Sequence, residues 1–586
     1  MDTTYTRLKD VPIRALTGTF VILFLVSWLA RSLHHGIAIR RKIRGLSSQN
    51  IVSIPFMSME SNEKAVQELN CFQDTSPHSL LLGHLPILKA LGQGLPKDAH
   101  PGYISERLVA EWKTYFPAED HCPPVIYLDL WPFFPQPIIY VTSAEACYQL
   151  TQGNPQPRHP MFRWALTPAT EGKDLISMAC TSMSTHKLWR SLLNPGFSSR
   201  NLIASMPVLL DEVLIFSNML RESAGQDGKW GDMFTVYDKT IRLTFDVIAR
   251  VALGLRLHEQ TSGPGPLFQS LSNVIPLVKM DTLWNRAERL LPKYRKTVSV
   301  NSKIMRDTLL PQIEKSAVVK GEDADTIIDL ALKDLYGQSH DAKSTSLTPD
   351  LIDIIISQIK FFLFAGHNTT AQTICWTLYE VNKYDNVKEA LRAEHAEILG
   401  ADPRLAADVL RSHPYKIKEL RYTTAVVKET LRLHALSETF RQGTVGFNFT
   451  IDGKDFPTEG CMIQTNPVVL HLREDLWPRP LEFLPERFMV PDGHPLHPAK
   501  NAWRPFEMGS MRCIGEELAM MEIVLCLVFT VREMDFDFDW AGWDKLHNRS
   551  GEPEYVNGQR GYRCGDGVGH IKDDLPCRVR QRKIPA

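Results

Sequence analysis

Beyond residue 180 the apolar positions recur mostly at three- and four-residue intervals, the spacing of one helix face. Residues 186–197 form one such helix, stopped by Asn194-Pro195-Gly196, and 240–253 a second. Pro349 opens a third. It is apolar on most sides (Leu351, Ile354, Ile355, Ile359, Phe362, Leu363, Ile374, Trp376, Leu378), so it belongs in the core. Residues 422–433 read as a fourth, and Leu518, Met521, Val524, Leu525 and Val528 mark a fifth. Residues 284–296 are basic and amphipathic, suited to a membrane surface or to solvent. Residues 315–346 are polar and predict an exposed loop. Strand signals are few: 125–130 and 137–141 flank a Pro-rich turn, and Ser143 then caps a helix over 144–150. The pattern is mostly α with small β-sheets.

The amino terminus differs. Residues 15–30 are uncharged and rich in Leu, Val, Ile and Phe. They are short for a membrane span of about twenty residues, but Arg14 and Arg31 can snorkel. A basic cluster (Arg31, Arg40, Arg41, Lys42, Arg44) follows in place of a strong cleavage site, which favours an anchor over a signal peptide. By the positive-inside rule the rest of the chain faces the cytosol, against the weaker pull of Arg7, Lys9 and Arg14. The expected layout is a lumenal tail at 1–14, a transmembrane anchor at 15–30, a basic and polar linker at 31–80, and a catalytic domain at 81–586.

Composition adds exclusions. The 586 residues are 44% hydrophobic and 23% charged, enough for several cores. A net charge of -1 gives no global case for a nucleic-acid partner. The ten cysteines are scattered singly without a C-x-x-C pair, so neither a zinc site nor a disulfide framework is expected.

One cysteine stands apart. Phe506-Glu507-Met508-Gly509-Ser510-Met511-Arg512-Cys513-Ile514-Gly515 leads into the fifth apolar run. A helix start stabilises a thiolate, and glycines let the backbone pass close to something large and flat. Those are the needs of a cysteine that ligates haem iron; a structural cysteine in a glycine-rich turn is the competing reading. The third helix is interrupted by Ala365-Gly366-His367-Asn368-Thr369-Thr370, which opposes helix propensity where a satisfied kink or a functional break is expected. Glu429 and Arg432 share a helical face, and Arg487 in Pro485-Glu486-Arg487-Phe488 would complete a carboxylate held by two guanidinium groups. His186 and Arg190 also share a face, open to a carboxylate or to solvent.

These stretches, in this order, resemble the cytochrome P-450 family of haem-thiolate monooxygenases. The likeness runs from Gly83 to the carboxyl end. The amino terminus looks like that of microsomal members, and 186–198, 422–433 and 573–579 are phrased as in fungal members associated with natural-product biosynthesis. The resemblance implies the cytochrome P-450 fold (α+β) with an N-terminal transmembrane helix. It makes Cys513 the axial ligand of haem b and sets Phe506 near its sulfur. Arg190, His186, Arg441 and Arg512 would serve the haem propionates. Gly366, with Ala365, would let the long helix pass the haem, Thr369 with Asn368 would serve proton delivery, and Glu429, Arg432 and Arg487 would support the cysteine loop.

Three positions depart from the family pattern. Met511 stands where arginine is usual, His186 where tryptophan is usual, and Asn368 where an acid is usual. Either Arg512 bends back to a propionate, or Arg190, His186 and Arg441 carry that charge. The implied reaction inserts one oxygen atom from O2 into an apolar small molecule, with NADPH electrons delivered by NADPH-cytochrome P-450 reductase. Phe361, Phe362, Phe364, Ala365 and 436–440 would line the pocket. The implied setting is membrane lipid: a single pass in the endoplasmic reticulum with the catalytic domain in the cytosol. A haem-thiolate isomerase, dehydratase or desaturase, or a catalytically degenerate haem-binding membrane protein, would fit the same motifs.

Overall fold

Thr348 starts the longest helix. Its hydroxyl accepts the N–H of Leu351 at 3.3 Å, Pro349 fills the first turn, and the helix then runs unbroken for 35 residues, Pro349–Lys383. This computed structural model describes residues 83–586 apart from Ala118, Pro132, 319–325, 338–346 and 583–586, with Ser27, His34 and 36–38 near the amino terminus.

Among the described residues no helix is long and apolar enough to cross a membrane. That overturns the expected single-pass anchor in the endoplasmic reticulum. The proposed span is shorter than the roughly twenty residues a bilayer requires, and arginines close both its ends. But for Ser27 it lies outside the described residues, as do the 1–14 tail and most of the 31–80 linker.

The chain forms two compact units. The smaller comprises the described part of Met1–Leu91 with Glu111–Tyr140 and Gly443–Ile463. In it the buried strands Val125–Leu128 and Ile138–Val141 lie side by side, and Met462 donates its N–H to Pro137 O at 2.9 Å. A hairpin pairs Asn448–Ile451 with Lys454–Pro457 in the register Asn448↔Pro457. Its two-residue turn, Asp452-Gly453, has φ of 51° and 73°, the left-handed pair such a turn needs.

The larger unit holds Gly92–Ala110, Val141–Gln442 and Gln464–Ala586. Five of its helices frame the stretches singled out from the sequence: α1 (Met183–Leu193), α2 (Val236–Leu253), α3 (Pro349–Lys383), α4 (Arg421–Leu433) and α5 (Glu516–Val528). Ser182 caps α1, and Gly254 ends α2 with φ +67°. α3 is buried on most sides, against α2 above all. A small antiparallel sheet has β3 (Pro576–Gln581) between β1 (Phe234–Thr235) and β2 (Met534–Asp537), paired Cys577↔Phe234 and Val579↔Phe536. Val236 donates its N–H to Leu575 O at 3.1 Å, so this sheet fixes where α2 begins.

The stretch 315–346, expected to include an exposed loop, also holds the helix Ile327–Gly337, with Ile327, Ile328 and Leu332 in the core. Residues 284–296 divide between the helices Leu283–Glu288 and Pro292–Val318, and Trp284 is 84% exposed.

Candidate active site

The cysteine loop closes on itself, with Cys513 donating its N–H to Phe506 O at 2.8 Å. Gly509 sits at φ +80°, and a Cβ there would lie 2.0 Å from Thr151 O, so only glycine fits. Glu507 is also left-handed, at φ 59°. Its carboxylate takes Arg504 at 2.5 Å and the Thr439 hydroxyl at 2.9 Å. Arg504 reaches on to the Thr151 hydroxyl at 2.7 Å. Although burial opposes it, the guanidinium groups of Arg504 and Arg441 hold Glu507 below the usual carboxylate range.

A second layer supports that loop. Glu429 binds Arg432 through both oxygens at 2.8 Å, and Arg487 at 3.3 Å, with all three side chains fully buried. The remaining guanidinium nitrogens each reach carbonyls as well: Arg432 donates to His471 O, Pro480 O and Glu482 O, and Arg487 to Pro478 O and Arg479 O. A buried ion pair persists when every donor nitrogen is met in this way. His471 relays the framework to the loop. Burial pushes its pKa down to about 3, so it is neutral. Because Arg504 N–H donates to its Nε2 at 3.0 Å, Nδ1 carries the proton and donates to Arg432 O at 2.9 Å.

Around Cys513 the charge is one-sided. Arg190 donates to Arg512 O at 2.7 Å, and Arg158 to Met511 O at 3.4 Å. Neither forms an ion pair among the described residues. Arg158 forms a backbone bridge with Arg441 and lies 5.5 Å from the centre of the Phe162 ring. Arg441 is buried and pressed against the Met511 sulfur, with its Nε unpartnered. Burial, then the neighbouring Arg158, pushes its pKa down to about 9. His186 is buried beside Arg190, Arg158 and Arg441, and burial and these cations push it down to about 4. Arg512 turns away, to Glu516 at 2.5 Å. Burial raises the Cys513 thiol, opposed by the Gly515 N–H, Arg190 and Arg158, while the residue stays open to solvent. Surrounding protein thus desolvates a thiol that a ligand can still reach.

Desolvated cations that outnumber the carboxylate beside them, Glu507, are costly, and an anion relieves them. This is the donor set that a ligand bearing two carboxylates requires, beside a thiol that can bind a metal. A haem fits both demands. Arg158 was not singled out from the sequence, where Gln156-Pro157-Arg158-His159-Pro160 reads as an ordinary proline-rich connector.

On α3, Thr369 bonds back to Ala365 O at 2.8 Å, and Thr373 and Thr377 repeat this one and two turns on. Gly366 faces α2: a Cβ there would lie 3.1 Å from Ile248 Cγ1. Beside it the Thr244 hydroxyl donates to His367 O at 2.7 Å. Asn368 accepts the Tyr237 hydroxyl at 2.9 Å. Phe362 turns into the core, edge-on to Phe197 at 5.2 Å, whereas Phe364 and Ala365 remain partly exposed. Phe506 packs edge-on to Trp503, whose indole N–H donates to Lys428 O on α4.

The cytochrome P450 family model matches residues 130–551. The chain belongs to the cytochrome P450 family. Among similar proteins, cytochrome P450 monooxygenase polC of Polytolypa hystricis is 33% identical over 87% of this chain and 90% of its own length. Cytochrome P450 monooxygenase acrF of Aspergillus aculeatus is 27% identical over 77% of this chain and 90% of its own. Cytochrome P450 monooxygenase ptmG of Penicillium ochrochloron is 24% identical over 86% and 89%. The resemblance to fungal members is borne out, and this P450 is a monooxygenase with haem as its cofactor.

Proposed function

We propose that this P450 inserts one atom of O2 into a hydrophobic small molecule, an intermediate of a fungal secondary-metabolite pathway, using electrons from NADPH passed on by a separate reductase. The observation that carries the reading is the convergence of Arg158, Arg190 and Arg441 around the loop of Cys513, none of them within ion-pair distance of a carboxylate among the described residues.

In this reading Cys513 ligates the iron, and haem so bound supplies the activation of dioxygen. Arg190, Arg158, Arg441 and neutral His186 hold its carboxylates. Arg512, engaged with Glu516, leaves that task to them. Glu429, Arg432 and Arg487 fix the loop through His471 and do no chemistry. Thr369 offers hydroxyl lone pairs to a proton-carrying water, because its own proton is given to Ala365 O. Phe361, Phe364, Ala365 and Leu436 favour an apolar ligand. No Gly-rich dinucleotide fingerprint is present, which supports an external electron donor.

The test supplies isotopically labelled O2, NADPH, a fungal reductase and apolar candidate metabolites. The expected product gains one labelled oxygen atom. Product whose new oxygen is unlabelled and so comes from water, or product formed without O2, would overturn the reading in favour of hydration or isomerisation.

A further inference from the structure

Asn368 replaces the acid usual in this family, and its amide could present either end to its surroundings. The Tyr237 hydroxyl decides which, donating to Asn368 Oδ1 at 2.9 Å. One turn further along the helix, Gln372 Oε1 accepts the backbone N–H of Ile571 at 3.1 Å. Gln372 is fully buried. With its oxygen taken, Nε2 is left as a donor. That nitrogen is buried and makes no hydrogen bond among the described residues. Asn368 Nδ2 makes no hydrogen bond among the described residues.

We propose that Tyr237 is a positioning residue that locks the Asn368 amide oxygen inward, so that its NH2 group is the end offered to small molecules held beside Thr369. This stretch of the helix then presents a fixed donor that cannot ionise. This rests on reading residues 365–370 as a wall of the haem site.

The frame around the pair is unusual. Asp573, Asp574 and Leu575 follow one another with φ of 55°, 57° and 59°, a run that non-glycine residues rarely adopt. Arg549 holds Asp573 at 2.8 Å, and His570 holds Asp574 at 3.3 Å. The turn lies beside both Tyr237 and Ile571. Leu575 O receives Val236 N–H, one residue before Tyr237, and Ile571 lies just upstream. A strained turn persists where its surroundings over-determine it, and here it flanks the partners of two amides on one helix, Tyr237 for Asn368 and Ile571 for Gln372.

The test is the infrared C–O stretch of the reduced, haem-loaded protein with carbon monoxide as probe, which needs no substrate. A positioned N–H donor lowers that frequency. In Asn368→Leu the band should shift upward. In Tyr237→Phe it should shift upward or split in two as the amide gains its second orientation, and Tyr237→Phe/Asn368→Leu should match Asn368→Leu alone. A shift in Asn368→Leu with an unchanged band in Tyr237→Phe would overturn the positioning role and leave the haem-site reading intact. No shift in either variant would overturn both. Retention of the thiolate absorption band in each variant confirms that the fold is intact.

Discussion

At the scale of single residues, charge and backbone geometry around Cys513 set what the protein can hold. Arg441 is pushed down to about 9 because it is buried among other cations, and such a group gains when an anion arrives. Gly509 gives the sharpest residue-level prediction. Any side chain there combines a left-handed backbone with a clash against Thr151 O. Gly509→Ala should cost at least about 1–2 kcal/mol from the backbone alone, more once the clash is added, and should lower the fraction of protein that retains haem. Thermal unfolding and haem content measure both. Full retention of stability would show that the loop can re-route away from Thr151.

At the scale of elements, α3 packs against α2, and Gly366 faces Ile248 across that contact. Gly366→Val should drive the helices apart by its contact with Ile248, and overpacking of this kind costs about 1–3 kcal/mol. Ile248→Ala should recover a large part of that loss, seen as non-additivity in a double-mutant cycle of unfolding free energies. Strict additivity would place the glycine's role elsewhere. The long helix and the α4 pair Glu429–Arg432 were legible in the sequence because apolar spacing and a short motif suffice to mark them. Tyr237 was not. The apolar pattern suggests a start at Thr240, whereas the β1–β3 pairing starts α2 four residues earlier, at Val236. The hairpin 448–457 was likewise missed, despite its Asp-Gly turn, because its strands are short and half exposed. Arg158 escaped because its partners lie hundreds of residues away in sequence.

At the scale of the whole molecule, buried neutral histidines tie stability to pH. His367 is pushed down to about 4, and His395 and His471 to about 3, in each case chiefly by burial. In the unfolded chain each would titrate near about 6.5. Between roughly pH 6.5 and pH 4 the unfolded state therefore binds more protons, and stability falls as pH drops through that window. Each group contributes at most about 1.4 kcal/mol per pH unit. The melting temperature should decline steeply from pH 7 to pH 5. A flat profile would mean that these rings are already protonated in the fold.

The central claim is that Cys513 carries the haem iron, within a loop fixed from behind by Glu429, Arg432, Arg487 and His471. The most direct measurement is the absorption spectrum of the haem-loaded protein after reduction and addition of carbon monoxide. The wild type should show the red-shifted Soret band of a thiolate-ligated haem, and Cys513→Ala should lose it. A wild type without that band, or a Cys513→Ala variant that keeps it, would contradict the account.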